Sequence, residues 1–455
     1  METARETETK PASGVPVDQE IALVSPGRAR YALGLLLVVY IFNFIDRQIL
    51  AILLEDIKRE IQLTDAQLGW LGGIAFALFY TFAGIPIARW ADFGSRRLII
   101  VLGLTTWSVM TAVTGRATSF MGLLAARVGV GIGEAAGSPP SHSLITDYFP
   151  LSQRARALSV YSLGIYIGGA LGTLLGGWVG QYFGWRMAFL AVGLPGVALA
   201  VLVQLTLPEP RIEARKRGIA EPSSASVDSV GAETSPWSVI RYMLARPSFV
   251  HLSIAGALHA FVGYGVSLFN PAFFIRSHGF STAELSSYLF GIGLTAAIGV
   301  FGGGWCVDRL GKRDIRWAMW IPALSTVVGA PLAATLYLLP NGYAALAVLV
   351  PTAILGAMYL GPTFAMTQSI AKPHMRALAS AVLLFIINLI GLGLGPWALG
   401  ALSDGLAPRF GTESLRYALV IVVIIGNIWS TLHYMLAART LREDLARSGA
   451  ASSTE

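Results

Sequence analysis

The chain has 455 residues and a formal net charge of +7, and 54% of its residues are hydrophobic while only 13% are charged. Soluble domains carry charge on about a quarter of their residues, so this composition and a mean hydropathy of +0.62 exclude an ordinary soluble domain and predict a polytopic membrane protein. The basic excess does not indicate nucleic-acid binding, because Lys and Arg collect on the cytoplasmic loops of membrane proteins. The single cysteine, Cys306, excludes an intrachain disulfide and a cysteine metal cluster.

The chain begins with a polar segment, residues 1–27, which lacks the apolar core of a signal peptide and is predicted to be a disordered cytoplasmic tail. Since a bilayer core needs about 20 apolar residues per helix, we predict twelve membrane spans after it. Numbered in chain order, these spans lie at about 31–54, 66–90, 98–115, 119–143, 157–180, 186–207, 248–275, 283–306, 315–338, 342–369, 375–401 and 412–438.

These spans form two sets of six. A polar linker at 208–247, rich in Pro, Ser, Glu and Arg, separates them and contains an amphipathic piece at "PWSVIRYML". The predicted fold is an all-α membrane protein with six-helix bundles at 28–207 and 248–438, followed by a cytoplasmic tail at 439–455.

Basic residues predict the orientation of this plan. With both termini inside, the outer loops hold seven of the 33 Lys and Arg residues, and four more lie in the first tail or within spans 1 and 4. The remaining 22 fall on cytoplasmic segments. This bias predicts that both termini are cytoplasmic.

The loops of the two sets repeat each other. "ARWADFGSRR" (88–97) follows span 2 and "GWCVDRLGKR" (304–313) follows span 8, so that Asp92 aligns with Asp308. "RARALS" (154–159) follows span 4, and "MRALAS" (375–380) stands at the matching place in the second set. Two paired loops in register predict a duplicated six-helix unit.

These loops resemble those of the major facilitator superfamily over the whole chain. "GWCVDRLGKR" is close to the superfamily pattern G-x-x-x-D-R-x-G-[RK]-[RK], whereas the first copy departs from it at Ala88, Phe93 and Gly94. Span 5 carries "GIYIGGALGTLLGGWVG", which is similar to the antiporter motif but lacks its proline. The resemblance implies gating between the two halves by Asp92, Arg96, Arg97, Asp308, Arg309 and Arg313.

The first half resembles the Spinster group more specifically. The stretches that resemble this group are "NFIDRQILAILLEDIKREIQLTDAQLGWL" (43–71) and "RVGVGIGEAAGSPPSHSLITDYFP" (127–150). The resemblance implies a bacterial-type member of a group that moves sphingosine-1-phosphate or lysophospholipids, in the bacterial inner (plasma) membrane and as a monomer. The second half matches only the superfamily.

A competing interpretation is a nucleotide site at Gly131-x-Gly133-x-x-Ala136. That fingerprint needs a preceding strand and an acidic residue about 20 positions later, whereas these glycines lie inside a predicted membrane helix. The six histidines lack metal-ligand spacing, and no Walker loop, HExxH or Ser-His-Asp arrangement fits the spans. We therefore expect no cofactor, no metal, no nucleic-acid partner and no enzymatic activity.

Spans 1 and 4 carry charges in their apolar middles. Arg127 and Glu134 are seven residues apart, which places both on one helix face about 10 Å apart along the axis. In span 1, Asn43 shares a face with Asp46 and Arg47. One central charge costs roughly 2.5–3.5 kcal/mol, so the four ions are expected to pair or to line water.

The mechanism that these charges suggest is proton coupling. By the resemblance, spans 1, 4, 7 and 10 line a central cavity, where transporters of this kind bind substrate. We expect Asp46 or Glu134 to carry the proton and Arg127 to be its partner, since a carboxylate that loses a cationic partner in an apolar site takes up a proton. Freed arginine would bind an anionic substrate group. A permanent salt bridge that only joins spans 1 and 4 is the alternative.

The substrate prediction rests on an asymmetry between the halves, since spans 7 and 10 lack Asp, Glu, Lys and Arg in their middles. A charged wall facing a mostly apolar one suits an amphiphilic, lipid-like substrate carried with protons. The expected substrate-binding residues are Asn43, Arg47, Arg127, Ser138, His142, Tyr264, Asn270, Tyr359, Thr363, Thr367 and Asn388. A transporter of small organic anions or drugs, by proton symport or antiport, remains the alternative. The sequence leaves the direction of transport open.

Overall fold

The computed structural model describes residues 24–212 and 235–447, and these two ranges contain helices and no strand. The helices of the first half are α1 (Pro26–Ile52), α2 (Leu54–Ile61), α3 (Asp65–Gly72), α4 (Ile74–Phe93), α5 (Arg96–Thr114), α6 (Phe120–Glu134), α7 (Ser138–Tyr148), α8 (Leu151–Phe183) and α9 (Trp185–Thr206). Those that follow residue 235 are α10 (Pro236–Leu244), α11 (Pro247–His278), α12 (Thr282–Leu310), α13 (Trp317–Leu338), α14 (Gly342–Ala357), α15 (Leu360–Ile370), α16 (Arg376–Ile386), α17 (Gly395–Phe410) and α18 (Ser414–Arg447).

Eleven stretches of the described chain are long and apolar enough to cross a membrane. The last of them, Pro373–Arg447, contains two helical spans joined at Gly411–Glu413, which gives twelve spans in total. The predicted all-α plan of twelve spans is confirmed. The helices extend beyond several of the predicted apolar segments because polar residues at the membrane surface continue the helical turns.

Four spans are interrupted. Span 2 consists of α3 and α4, span 4 of α6 and α7, and span 10 of α14 and α15, while α16 and α17 of span 11 are joined by a π-helical stretch, Ile387–Leu394. Spans 4 and 10 occupy the same position in the two halves, and both break near their middle. At each interruption some backbone N–H and C=O groups lose their helical hydrogen bonds. Membrane proteins tolerate this where the span is covered by protein or lines a cavity.

We call the end of the bundle where α1 begins the terminal face, and the other end the opposite face. The halves meet closely at the opposite face, where glycines let the backbones approach. A Cβ atom at Gly177 of span 5 would lie 2.3 Å from Ser286 Cβ of span 8, and one at Gly69 of span 2 would lie 2.4 Å from the Pro396 carbonyl oxygen of span 11. Hydrogen bonds join the same spans, including that from Trp178 Nε1 to Ser287 Oγ at 3.0 Å.

The apolar packing follows the same division. One buried cluster combines Leu53 and Leu71 of the first half with Phe269 and Phe273 of the second, near the opposite face. Toward the terminal face each half has a main cluster of its own. The one around Trp107 in the first half also includes Leu392 of the second half, and the other lies around residues such as Phe249 in the second half. The two halves are therefore tightly joined at the opposite face and packed largely separately at the terminal face.

The predicted linker and tails lie partly outside the described residues. Within the linker, the amphipathic "PWSVIRYML" segment forms α10, which buries Val239 and Met243 against the second half. The last helix does not end near residue 438 but continues to Arg447. The buried Asp444 carboxylate explains this, because it accepts hydrogen bonds from the backbone N–H and the hydroxyl of Ser248 at the start of α11.

We predict that Gly177→Ala destabilises the joined opposite face. The added methyl group overlaps Ser286, and overpacking of this kind costs about 1–3 kcal/mol. The midpoint of thermal unfolding of the purified protein should fall. Gly291→Ala is the matched control, because a Cβ there meets no atom within 4 Å. Equal midpoints for the two variants would contradict the prediction.

Candidate functional site

A cavity of about 690 Å³ lies between the two halves. Residues from spans 1, 2, 4 and 5 form one wall, and residues from spans 7 to 12 form the other. Most lining side chains are apolar. Arg47 and Arg127 are the ionised side chains among the lining residues, and both belong to the first half.

Arg47 pairs with Glu134 and so connects span 1 to span 4. Its Nε donates to Glu134 Oε2 at 2.7 Å, and the guanidinium carbon lies 4.8–5.0 Å from the ring centroids of Phe44, Phe76 and Tyr80. The pair is asymmetric, since the Arg47 side chain is 22% exposed and that of Glu134 is 0% exposed. The arginine therefore faces the cavity and the acid lies behind it.

Asp46 is the second buried acid. Adjacent residues of a helix point about 100° apart, so Asp46 turns away from the cavity while Arg47 faces it. Asp46 is 1% exposed and lies beside Thr111 of span 3, close enough to Glu134 and Arg127 for electrostatic interaction. Asp46 Oδ1, Glu134 Oε1 and Arg127 Nε have no hydrogen-bond partner among the described residues. Unsatisfied buried polar atoms are rare in folded proteins, and each requires an explanation such as a bound water, an ion or a functional role.

The partner of Glu134 differs from the one that the sequence favoured. The expectation was Arg127, but the hydrogen bond to Glu134 comes from Arg47. Arg127 shares span 4 with Glu134 and interacts with it and with Asp46 only through the electrostatic field. The turn at 135–137 ends α6 directly after Glu134 and reorients the rest of the span, which helps to explain why a helix of span 1 supplies the closer arginine.

The glycines around Arg127 allow neighbouring helices to pack closely against span 4. A Cβ at Gly131 would lie 2.9 Å from the Phe76 carbonyl oxygen, and one at Gly133 would lie 2.6 Å from the Trp107 amide nitrogen. Spans 2 and 3 can therefore approach span 4 closely. This approach brings the rings of Phe76 and Tyr80 against Arg47.

The other predicted substrate-binding residues are divided between the cavity and its surroundings. Tyr264 and Asn270 line the cavity. Asn43 is buried beside Glu134, and His142, an exposed residue, packs edge-on against Tyr161. The residues that do not line this cavity are Asn43, Ser138, His142, Tyr359, Thr363, Thr367 and Asn388.

Thr363 and Thr367 form hydrogen bonds within the second half. Thr363 is fully buried and shares a hydrogen bond with Tyr434, and the Thr367 hydroxyl donates to the Thr363 carbonyl. Conversely, His259 and Asn427 line the cavity although neither was assigned to the site. No spacing in the sequence singles out Asn427, whereas His259 is the titratable group in the middles of spans 7 and 10 besides tyrosines.

The paired loops differ in structure. Arg96 is buried and forms ion pairs with Asp147 at 2.5 Å and Glu209 at 2.8 Å, while the backbone N–H of Arg97 donates to Glu209. Glu209 was missed because it follows span 6 outside any motif, and Asp147 was missed because the stretch at 127–150 that contains it was assigned roles only at other positions. The Asp92 side chain lies outside the described part of the chain.

In the second loop, Asp308, Arg309 and Arg313 are exposed. The neighbouring Asp314 forms the ion pairs instead, with Arg316 and Arg442, and the hydrogen bonds from Arg316 lower the pKa of Asp314 to about 2. The partners of Arg96 and Asp314 belong to their own halves, which agrees with the separation of the halves at the terminal face.

An ion cluster joins the halves at the opposite face. Arg276 of span 7 donates to Glu55 Oε2 at 2.5 Å and binds both oxygens of Asp65 at 2.8 Å. The Asp404 carboxylate of span 11 accepts from the backbone N–H groups of Asp65 and Ala66. These contacts close the opposite face over the cavity.

The geometry described so far, two helical halves around a central cavity, defines a membrane transporter. The Major Facilitator Superfamily profile matches residues 36–396. An "MFS-type efflux pump" of Mycolicibacterium smegmatis is 32% identical over 92% of this chain and 95% of its own length, and "Protein spinster homolog 1" of Homo sapiens is 28% identical over 90% and 81%. A bacterial homologue of the human lysosomal transporter Spinster, solved inward-facing and unoccupied, superposes with a TM-score of 0.84 at 33% identity over 92% of this chain and 99% of its own.

The chain belongs to the Major Facilitator Superfamily, and its similarities group it with the Spinster transporters. The resemblance expected from the loops and from the first half is confirmed. As a member of this superfamily it is a multi-pass integral membrane protein that acts on small molecules.

We predict that Arg276→Ala opens the opposite face. Loss of the guanidinium removes the cation that Glu55 and Asp65 share. Lys58 and Arg59 still pair with these acids, so the cost should lie below the roughly 3–5 kcal/mol of a buried pair broken from one side. In a Cys306→Ser background, a cysteine at Leu268, which is buried below this face, should react faster with a maleimide applied to the opposite face of oriented proteoliposomes.

Arg416→Ala is the matched control for this test, because Arg416 pairs with Glu413 within the second half. It should leave the labelling rate unchanged. The prediction is wrong if Arg276→Ala and Arg416→Ala label at the same rate as the parent protein.

Proposed function

We propose that the protein is a proton-coupled secondary transporter of the Spinster type that moves lysolipid- or sphingosine-1-phosphate-like amphiphiles by alternating access. The observation that carries the proposal is the arrangement of two cavity-facing arginines, Arg47 and Arg127, in front of two buried acids, Asp46 and Glu134. The formal charges cancel, and one pair, Arg47 with Glu134, is in direct contact.

Proton uptake by one of these acids would release an arginine for the substrate. A carboxylate bonded to a guanidinium is held ionised, whereas a protonated one gives up most of that attraction. When Glu134 takes a proton, Arg47 is free to turn toward an anionic headgroup in the cavity. Loss of the proton restores the pair and displaces the anion. Asp46, which lacks an arginine in hydrogen-bond contact, is the second candidate for the proton.

The size and lining of the cavity fit this substrate class. Its volume of about 690 Å³ lies in the range of pockets for drug-sized ligands, roughly 300–1,000 Å³. Apolar lining residues such as Leu268, Ile292 and Leu336 provide contact area for an alkyl chain. The headgroup would lie against spans 1 and 4, with Tyr264 and Asn270 as further contacts.

The remaining features of the proposal concern the whole chain. The positive-inside bias supports cytoplasmic termini, which would make the opposite face periplasmic in a bacterial inner membrane. Asp92, Arg96, Arg97, Asp308, Arg309 and Arg313 are proposed to hold the halves together when the terminal face closes. A monomer suffices, because the cavity is built from one chain.

We predict that Glu134→Gln abolishes the response of transport to a pH gradient. In proteoliposomes, a gradient of one pH unit can drive accumulation of about tenfold per coupled proton. After a pH step, the parent protein should accumulate labelled lysophosphatidic acid about tenfold inside the vesicles. The variant should only bring its concentrations on the two sides of the membrane to the same value.

Two further variants complete this experiment. Asp46→Asn tests the second acid, and Glu284→Gln is the matched control because Glu284 is an acid near the opposite face, hydrogen-bonded to the exposed Tyr343. The control should keep the full response. Unchanged coupling in Glu134→Gln would refute the assigned role of Glu134.

A transporter of small organic anions or drugs is the second candidate. The presence of both arginines in the cavity wall favours it, since Arg127 could bind a carboxylate directly, and a relative at 32% identity bears the name of an efflux pump. A thermal-shift screen separates the candidates. Ligand at about 100 times its Kd stabilises a protein by about 2.7 kcal/mol, so lysolipids should raise the melting temperature and small monocarboxylates should not. The reverse pattern would favour the second candidate.

A further inference from the structure

Helix α10 has two contrasting sides where it leads into α11 at the terminal face. Val239 and Met243 are buried in the apolar cluster of the second half. Trp237, Arg241 and Leu244 follow one another at helical spacing on the other side, where Trp237 is 77% exposed and Leu244 is 54% exposed. Tryptophan is enriched where a membrane meets water, and amphipathic helices with apolar and basic residues lie in that interface. The outer side of α10 is therefore suited to contact with lipid.

Two cations from different segments meet at one aromatic ring beside this helix. The Arg246 guanidinium carbon lies 4.5 Å from the ring centroid of Tyr242, and Lys372 Nζ lies 5.4 Å from the same centroid. Arg246 directly precedes α11, while Lys372 belongs to the loop between α15 and α16. Because a cation is attracted to the face of an aromatic ring, Tyr242 holds both charges at the membrane end of their spans.

These cations have no acidic partner among the described residues. Neither α10 nor the loop at 371–375 contains Asp or Glu, and no described residue forms an ion pair with Arg241, Arg246 or Lys372. The Asp444 carboxylate beside the start of α11 is already bonded to the backbone and the hydroxyl of Ser248. Like charges held close together repel each other, and an external anion that contacts both removes this repulsion.

We infer that Arg246 and Lys372 bind the phosphate group of an anionic phospholipid, and that Trp237 and Leu244 contact the apolar part of the same lipid layer. Arg241 adds a third positive charge on the exposed side. Basic residues next to a membrane span attract anionic headgroups, and the exposed apolar residues of α10 favour an intact lipid over a soluble phosphate. This site lies outside the central cavity and is independent of which molecule the protein transports.

The double variant Arg246→Gln/Lys372→Gln tests the site. Native mass spectrometry of the full-length protein in detergent measures how much phosphatidylglycerol and how much phosphatidylcholine is bound at each lipid concentration. One basic residue at a membrane surface increases the affinity for anionic lipid about fivefold. The double variant should therefore bind phosphatidylglycerol about 25-fold more weakly, and its binding of zwitterionic phosphatidylcholine should change little.

Arg89→Gln/Arg156→Gln is the matched control. Both residues are exposed in the first half, and the variant loses the same formal charge. It should keep the affinity of the parent protein. Lipid that enters the cavity is common to all of these proteins, so the difference between the two double variants reports the site at α10.

Two substitutions of Tyr242 test whether its ring positions the cations. Tyr242→Phe keeps the ring and should keep the parent affinity. Tyr242→Leu removes the ring and should weaken binding of phosphatidylglycerol about twofold to fivefold, which corresponds to an exposed cation–π contact. The melting temperatures of all variants without added lipid report any loss of folding.

The results distinguish this site from a general effect of charge and from a site for soluble anions. Equal weakening in the two double variants, or unchanged binding in Arg246→Gln/Lys372→Gln, would overturn the inference. Glycerol phosphate that binds as tightly as phosphatidylglycerol would also overturn it, because the site would then recognise a soluble anion. The proposed transport function stands or falls separately, on the response of Glu134→Gln to a pH gradient.

Discussion

The contact between Arg47 and Glu134 is the interaction on which the rest of the site depends. Isolated charges are expensive within a membrane, so these two residues must either stay together or be replaced by equivalent contacts to a proton and an anion. The aromatic rings around Arg47 restrict where its guanidinium can go, and the full burial of Glu134 restricts which groups can reach the acid. In the proposed mechanism, a cavity-facing arginine backed by a buried acid forms an anion site whose occupancy would be linked to protonation.

The packing between the halves bears on how a change at the Arg47–Glu134 pair could move one half relative to the other. At the opposite face, the halves share an apolar cluster and the Arg276 ion cluster, and glycines such as Gly177 and Gly69 bring backbones into contact. Toward the terminal face, the two buried clusters are largely separate, and Leu392 of span 11 joins the one in the first half. In the proposed mechanism the halves rock about the central cavity as the contacts at the opposite face separate, so a change in the charge of one buried acid would favour one arrangement over the other.

The fold and the composition of the charge cluster could be predicted from the sequence, but the pairing within the cluster could not. Twelve apolar segments and two repeated loops define the fold, because hydrophobic length and duplication are local properties. Arg127 and Glu134 were placed on one face by helical periodicity alone. The choice of Arg47 as the partner of Glu134 depends on how spans 1 and 4 pack and on the break after Glu134, and neither is encoded in a spacing. Thr363 was misleading for the same reason, since a polar residue in span 10 can face Tyr434 as easily as the cavity.

The distribution of polar groups over two walls bears on how a substrate could drive transport. A ligand shifts a conformational equilibrium only if it binds the two states with different affinity. A molecule held by the first half alone would move with that half and would distinguish the states weakly. Arg47 and Arg127 lie in one wall and His259 in the other, so a ligand that contacts both is sensitive to the separation of the halves. A two-sided wall of this kind would provide the differential affinity that the proposed alternating access requires. A purely apolar second wall would provide it only through its shape.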